Sequence, residues 1–259
     1  MAFEIINPDG DPRFLFLCDH ASNALPERYG TLGLGADELE RHIAWDIGAG
    51  DVVRHLSSAF QAPAILALYS RLLIDLNREP LDPTLVMQIS DGAIIPGNRN
   101  VDNAERQYRL SHFFEPYHRA ISAEIDRALA AGQVPLLVSV HSFTPRWKSF
   151  QRPWHIGLLW DRDSRAAAPL KSALERNGDL VIGDNQPYSG ELKGDCLYTH
   201  GTMRGLPHIL VEVRQDLIET QQGVEKWASV LEAALRGLMS DASIWQIERQ
   251  GSHADETKV

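Results

Sequence analysis

The sequence predicts an α/β domain: a mixed, mainly parallel sheet covered by helices on both faces. Three observations predict it. Short apolar runs recur at Arg13–Cys18, Val134–Val140 and Pro207–Val213, each the length of one buried strand. Stretches with apolar residues at three- and four-residue spacing separate and follow them, at 37–60, 104–131 and 223–238. The two kinds of element alternate along the chain, as crossover-connected strands require. The 259 residues, 44% hydrophobic and 23% charged, suit one such domain over residues 1–245, followed by a polar tail at 246–259 expected to be disordered after Gln250.

In order, RFLFLC at 13–18 is a strand that runs directly into Asp19-His20. In 37–60, Leu39, Ile43, Ile47, Val52, Val53 and Leu56 mark a helix, with a break near Asp46 because Gly48 and Gly50 weaken its middle. Ala64–Tyr69 is a second strand, continuing through Ser70-Arg71 into Leu72–Leu76 and the polar cluster Asp75-Leu76-Asn77-Arg78. Residues 79–103 hold Pro80, Pro83 and Pro96 and show no period; they predict a long functional loop. Ala104–Ala131 is the longest helix, with a kink expected at Pro116 and a stop at Gly132. Val134–Val140 then leads to His141-Ser142. A short strand at Trp154–Trp160, a helix at 165–177, a short strand at Leu180–Ile182 and a Gly-rich loop at 183–202 follow. PHILVEV at 207–213 is the last strand and 223–238 the closing amphipathic helix.

Composition excludes several classes. A formal charge of −10 argues against a nucleic-acid binder. No run approaches the ~18 apolar residues of a membrane span, and MAFEIINPDG lacks the pattern of a signal peptide. Two distant cysteines, Cys18 and Cys196, fit a reducing, cytoplasmic setting and cannot make a four-thiolate zinc site.

Chemistry gathers at strand ends, where ligands bind in open α/β sheets. His20 and His141 end two different core strands, and neutral imidazoles suit zinc. Asp46, Asp19 and Glu212 are the candidate carboxylate ligands. Asp46 lies between Trp45 and Ile47, and a carboxylate in apolar surroundings needs a partner or a metal. Asp19 can instead orient an imidazole from behind. Glu212 interrupts an apolar strand; burial would raise its pKa and make it a general base, whereas a bond to Arg214 would make it structural. Asn77 and Arg78 can grip a carboxylate, and Arg71 can assist or polarise a carbonyl.

Together, CDHASNALP at 18–26, HIAWDIGA at 42–49, SRLLIDLNRE at 70–79, SVHSFTP at 139–145 and HILVEVRQDL at 208–217 resemble the N-formylglutamate amidohydrolase family, from about residue 13 to about 240. That family is similar to zinc carboxypeptidases and aspartoacylases. The resemblance implies a three-layer α/β/α, zinc exopeptidase-like (phosphorylase/hydrolase-like) fold and one zinc ion. It implies His20, Asp46 and His141 as ligands, Glu212 as base and Arg71 at the oxyanion. Asn77 and Arg78 would hold the substrate α-carboxylate, with Ser142 continuing the match and Tyr188 and His200 closing over the substrate. One departure is plain: where the carboxypeptidases have a Glu ligand three residues after the first His, this chain has Asn23. The expected activity is amide hydrolysis of an N-acyl amino acid, N-formyl-L-glutamate foremost. The alternatives are a metal-dependent carboxypeptidase, an N-acetyl or N-succinyl amino acid deacylase, or a non-catalytic small-molecule binder. The sequence leaves oligomeric state open.

Overall fold

The computed structural model describes residues 1–176 and 178–256. Its centre is a seven-stranded sheet: β1 (Phe3–Ile6), β2 (Phe14–Cys18), β3 (Ala64–Ala67), β4 (Leu136–Phe143), β5 (Ile156–Leu159), β6 (Ile182–Asp184) and β7 (His208–Arg214). The spatial order is β1-β3-β2-β4-β7-β5-β6. β3, β2, β4 and β7 run parallel, while β1 and the β5-β6 pair are reversed against their neighbours. The sheet is therefore mixed but mainly parallel. Strand β1, FEII, was not expected; none of its four residues is fully buried and one, Glu4, is charged, as an edge allows.

Side chains alternate strictly across the sheet. Phe14, Phe16 and Cys18 of β2, Val138 and Val140 of β4 and Ile209, Val211 and Val213 of β7 face α1 (Ala49–Phe60), α4 (Ala167–Glu175) and α6 (Gln221–Leu238). Leu15 and Leu17, Leu137, and Leu210 face the long helix α3 (Glu115–Ala130) and the short α5 (Cys196–His200). Three layers result. The same alternation puts Ser139, His141 and Glu212 on the α3 side. Register does the rest, because Glu212 pairs directly with His141 across β7 and β4.

The helix expected over 37–60 is interrupted more widely than its glycines suggested. One helical turn, Ala36–Leu39, is followed by turns up to α1. Gly48 sits at φ +78, and a Cβ there would lie 2.1 Å from Ile218 O. Only glycine fits, and it turns the chain so that Asp46 enters the interior. Residues 71–78 are not the sequel of a strand: they form a buried irregular loop after β3. The expected 104–131 helix is α2 (Asn103–Arg109), one wide π-turn (Leu110–Phe114) and α3. Pro116 opens α3, where its missing N–H is tolerated. On either side of the wide turn, Arg109 donates to Leu73 O (2.8 Å) and Tyr117 to Asp19.

The tail expected to be disordered after Gln250 is packed as far as residue 256. Ser252 is 4% exposed, the His253 N–H donates to Asp161, and Asp255 accepts from Tyr198 Oη (2.7 Å). Polar side chains with specific partners hold it, which composition does not reveal. The expected end of the helix before Gly178 and the last residues of the tail fall outside the described residues. No described helix is long and apolar enough to cross a membrane.

Candidate active site

At the carboxyl ends of β2 and β4, His20 and His141 meet with ring centroids 4.9 Å apart. Their outer nitrogens are each held by a buried carboxylate: His20 Nε2 by Asp75 Oδ1 (2.7 Å), His141 Nε2 by Asp19 Oδ2 (3.1 Å). Their inner nitrogens converge on one oxygen. Asp46 Oδ2 lies 3.3 Å from His20 Nδ1 and 2.8 Å from His141 Nδ1. Carboxylates behind both rings fix the tautomer that leaves each Nδ1 free to bind a cation. Among the described residues, His20, Asp46 and His141 form a fully buried group with ligand atoms within 4.8 Å of one another.

Charge makes the same argument. Asp19, Asp46 and Asp75 are all buried, and Arg71 is the cation among them, 2.9 Å from Asp75 Oδ2 and 3.5 Å from Asp46 Oδ1. With neutral imidazoles the cluster keeps two uncompensated negative charges, which a divalent ion would neutralise. Two nitrogens and a carboxylate oxygen are a donor set suited to zinc. Burial alone would raise the three aspartates; bonds and charges from the imidazoles and Arg71 outweigh it, taking Asp19 to about 2 and the other two well below the carboxylate range.

Glu212 stands beside this group in a different state. Burial pushes its pKa up to about 7, and Oε2 has no hydrogen-bond partner. The competing reading, a bond to Arg214, fails: Arg214 pairs with Asp216 (2.7 Å). A cavity of about 870 Å³ opens over the cluster. Eight buried side-chain atoms among the described residues lack a hydrogen-bond partner, and five belong to residues that line this cavity: His42 Nδ1, which has only the ion-pair distance to Asp46, Arg71 Nε, Ser142 Oγ, Glu212 Oε2 and Gln215 Oε1. Buried polar groups are nearly always bonded, so a cluster of exceptions marks a place where a ligand supplies the partners.

The sequence model of N-formylglutamate amidohydrolase matches residues 13–219. The chain belongs to the N-formylglutamate amidohydrolase family. It is accordingly a hydrolytic enzyme, an amidohydrolase of N-acyl amino acids. A solved gene product of Agrobacterium tumefaciens is similar over 92% of this chain and 94% of its own, with 37% identity and a TM-score of 0.87. An N-formylglutamate amidohydrolase from Ralstonia eutropha shares the fold at 20% identity, covering 92% and 97%, with a TM-score of 0.69. No curated protein sequence matches.

Within this family member, most residues singled out by sequence come together. His20, Asp46, Arg71, Asn77, Arg78, His141, Ser142, Tyr188 and Glu212 all line the cavity. Asn77 Oδ1 accepts from the Cys196 N–H (2.9 Å), which fixes its amide. His200 does not belong with them. It lies buried behind the site with its Nε2 2.8 Å from His118 Nδ1, because α5 turns it toward α3 instead of the cavity. Asn23 also points away, donating to Leu39 O and Glu40. Asp19 backs His141 rather than its neighbour His20, since it continues the Leu15–Leu17 face on which Ser139 and His141 lie.

Four contributors had no role assigned from sequence. Asp75 holds His20; only its place in a polar tetrapeptide hinted at it. His42, whose Nδ1 lies 3.4 Å from Asp46 Oδ1, carried an i, i+4 signal in HIAWD. Gln215 follows Glu212 by three residues. Asp195, on the cavity wall, caps α5 through the Tyr198 N–H (2.6 Å), and burial raises its pKa to about 7.

Proposed function

We propose that the enzyme hydrolyses the amide bond of N-formyl-L-glutamate, with a zinc ion held by His20, Asp46 and His141. The observation that carries this reading is Glu212: a carboxylate with an unpartnered oxygen and a raised pKa, in register with His141. A zinc ion in such a site supplies Lewis acidity toward an acyl oxygen and lowers the pKa of water. Glu212 accepts the proton of the attacking water at Oε2 and delivers it to the leaving amine. A base with pKa near 7 is matched to both transfers at neutral pH. Arg71, held charged by Asp75 and Asp46 despite its burial, faces the acyl oxygen and stabilises the charge that develops there. Arg78 and the Asn77 amide bind the α-carboxylate, which fixes which bond reaches Glu212.

Formate release from N-formyl-L-glutamate by the zinc-loaded protein tests the reading. A Glu212→Gln variant as active as the wild type would sink it. The cavity volume favours a second reading, since about 870 Å³ is near the upper end for a site holding drug-sized ligands. Longer acyl groups or a short peptide would fit, and side-by-side rates on formyl, acetyl, succinyl and peptide substrates separate the two.

A further inference from the structure

His200 belongs to a group of side chains that the proposed hydrolysis does not use. His118 of α3 and Cys196 and His200 of α5 bring ligand atoms within 4.8 Å of one another, and none of the three lines the cavity. Three such groups occur among the described residues. One is the candidate zinc site. Another, Asp161, Glu191 and His253, has two exposed members, and its histidine is already ion-paired with Asp161. The group at His118 is the one with a thiol and without a carboxylate.

Local structure assembles it. Cys196 and His200 are four residues apart on α5, so one helical turn stacks them on the same face. His118 meets them from α3, with its Nδ1 2.8 Å from His200 Nε2 and the two rings stacked at 17°. Its other nitrogen, Nε2, donates to Leu76 O (3.0 Å). A carbonyl behind the ring fixes the tautomer, so the His118 Nδ1 lone pair points into the group. Metal-binding histidines are ordinarily backed in this way. Burial lowers the pKa of His118 and takes that of His200 to about 3, which keeps both imidazoles in the neutral form that metals bind. Burial, with Asp19 and Asp195 close by, pushes the Cys196 thiol well up. The same negative field favours a cation at the sulfur, and a bound cation takes the place of the thiol proton.

We propose that His118, Cys196 and His200 bind a second zinc ion, which staples α5 to α3. Two imidazoles and one thiolate are a donor set suited to zinc. His118 Nδ1, His200 Nε2 and Cys196 Sγ are the ligand atoms. Binding moves the His200 proton from Nε2 to Nδ1 and releases the thiol proton. The two nitrogens need part by only about 0.5 Å, to the roughly 3.3 Å between tetrahedral ligands about 2.05 Å from zinc. Both ligating elements touch the loop beside the cavity, since the Cys196 N–H holds Asn77 and His118 holds Leu76. The site is independent of the ion at His20, Asp46 and His141, a group that contains no sulfur.

The test loads the metal-free protein with cobalt(II), a zinc substitute whose bond to a thiolate gives a near-ultraviolet charge-transfer band. Without sulfur at His20, Asp46 and His141, the band reports the second ion alone. A wild type that binds two equivalents and shows the band, with Cys18→Ala keeping the band and Cys196→Ser binding one equivalent without it, supports the proposal. One equivalent with the band supports this site and counts against the ion at His20. A wild type without the band at any stoichiometry overturns the proposal and needs no variant to do so. A band that persists in Cys196→Ser, or disappears in Cys18→Ala, overturns it as well.

Discussion

Replacing Asp19 with asparagine keeps the size of the side chain and reverses what it offers His141. In the wild type, Asp19 Oδ1 accepts from Tyr117 Oη (2.7 Å) and Oδ2 faces His141 Nε2 at 3.1 Å. Both oxygens accept, so when a cation takes the place between Nδ1 and Asp46 the His141 proton resides on Nε2 and the Nδ1 lone pair serves the cation. In Asp19→Asn the amide oxygen keeps the Tyr117 bond, which leaves the NH2 opposite His141 Nε2–H. Two donors then meet, and the ring relieves the conflict by moving its proton to Nδ1. That tautomer cannot bind a cation. Loss of such a partner weakens metal binding by about 10–100-fold, or about 1.4–3 kcal/mol. Competition against a chelating zinc indicator measures it directly. Tyr117→Phe is the control: it removes one hydrogen bond, about 1 kcal/mol of stability, without touching the tautomer. Its zinc affinity should stay within about threefold of wild type. Equal zinc affinity in Asp19→Asn and wild type would refute the reasoning.

Glu212→Gln should lower kcat by roughly 10²–10⁴-fold, read as formate release. The same variant should be more stable without metal. The folded pKa of about 7 exceeds the usual 4.5, so the native state holds the extra proton between those values and wild-type stability falls as pH rises through them. Denaturation at pH 4 and pH 8 should therefore show a gap between variant and wild type that opens to about 3 kcal/mol at the higher pH. Gly48→Ala should destabilise by about 3 kcal/mol or more, through its φ of +78 and the clash with Ile218 O, seen as a fall in Tm and loss of metal binding. Zinc at about 100 times its Kd should raise the stability of the metal-free protein by about 2.7 kcal/mol, and a chelator should reverse the rise in Tm. No shift with zinc or other divalent ions would count against the metal centre.

The sheet was legible because its central strands are short and fully buried. Phe14–Cys18, Leu136–Phe143 and His208–Arg214 read directly as apolar runs that stop at polar residues. The helices around them followed from periodicity. Where local sequence and tertiary need diverged, the reading failed. The 37–60 helix is cut open so that Asp46 can reach two imidazoles, and the enforcing contact, Ile218 O against Gly48, comes from 170 residues away. Asp75 and Asp19 could be named as polar residues at strand ends, but which histidine each supports depends on sheet register. Buried Arg152 gave no signal at all, because its partners are the Thr144 carbonyl, the Thr144 and Tyr188 hydroxyls and aromatic rings. His200 was misplaced for the opposite reason: residing in a loop suggested an open site, but α5 folds it inward.

The wide turn at Leu110–Phe114 sets the phase between two grips on the catalytic loop. Upstream, Arg109 holds Leu73; downstream, His118 Nε2 lies 3.0 Å from Leu76 O and Tyr117 reaches Asp19. Arg109 and Tyr117 are eight residues apart, and in an uninterrupted α-helix that spacing would set them about 80° out of phase around the axis. The wide turn absorbs the extra residue, so both anchors face the loop together. The same residues wound as plain α-helix would remain helical with their composition unchanged, yet one anchor would turn away. The winding between Arg109 and Tyr117 is thus as much a part of the site as the residues themselves.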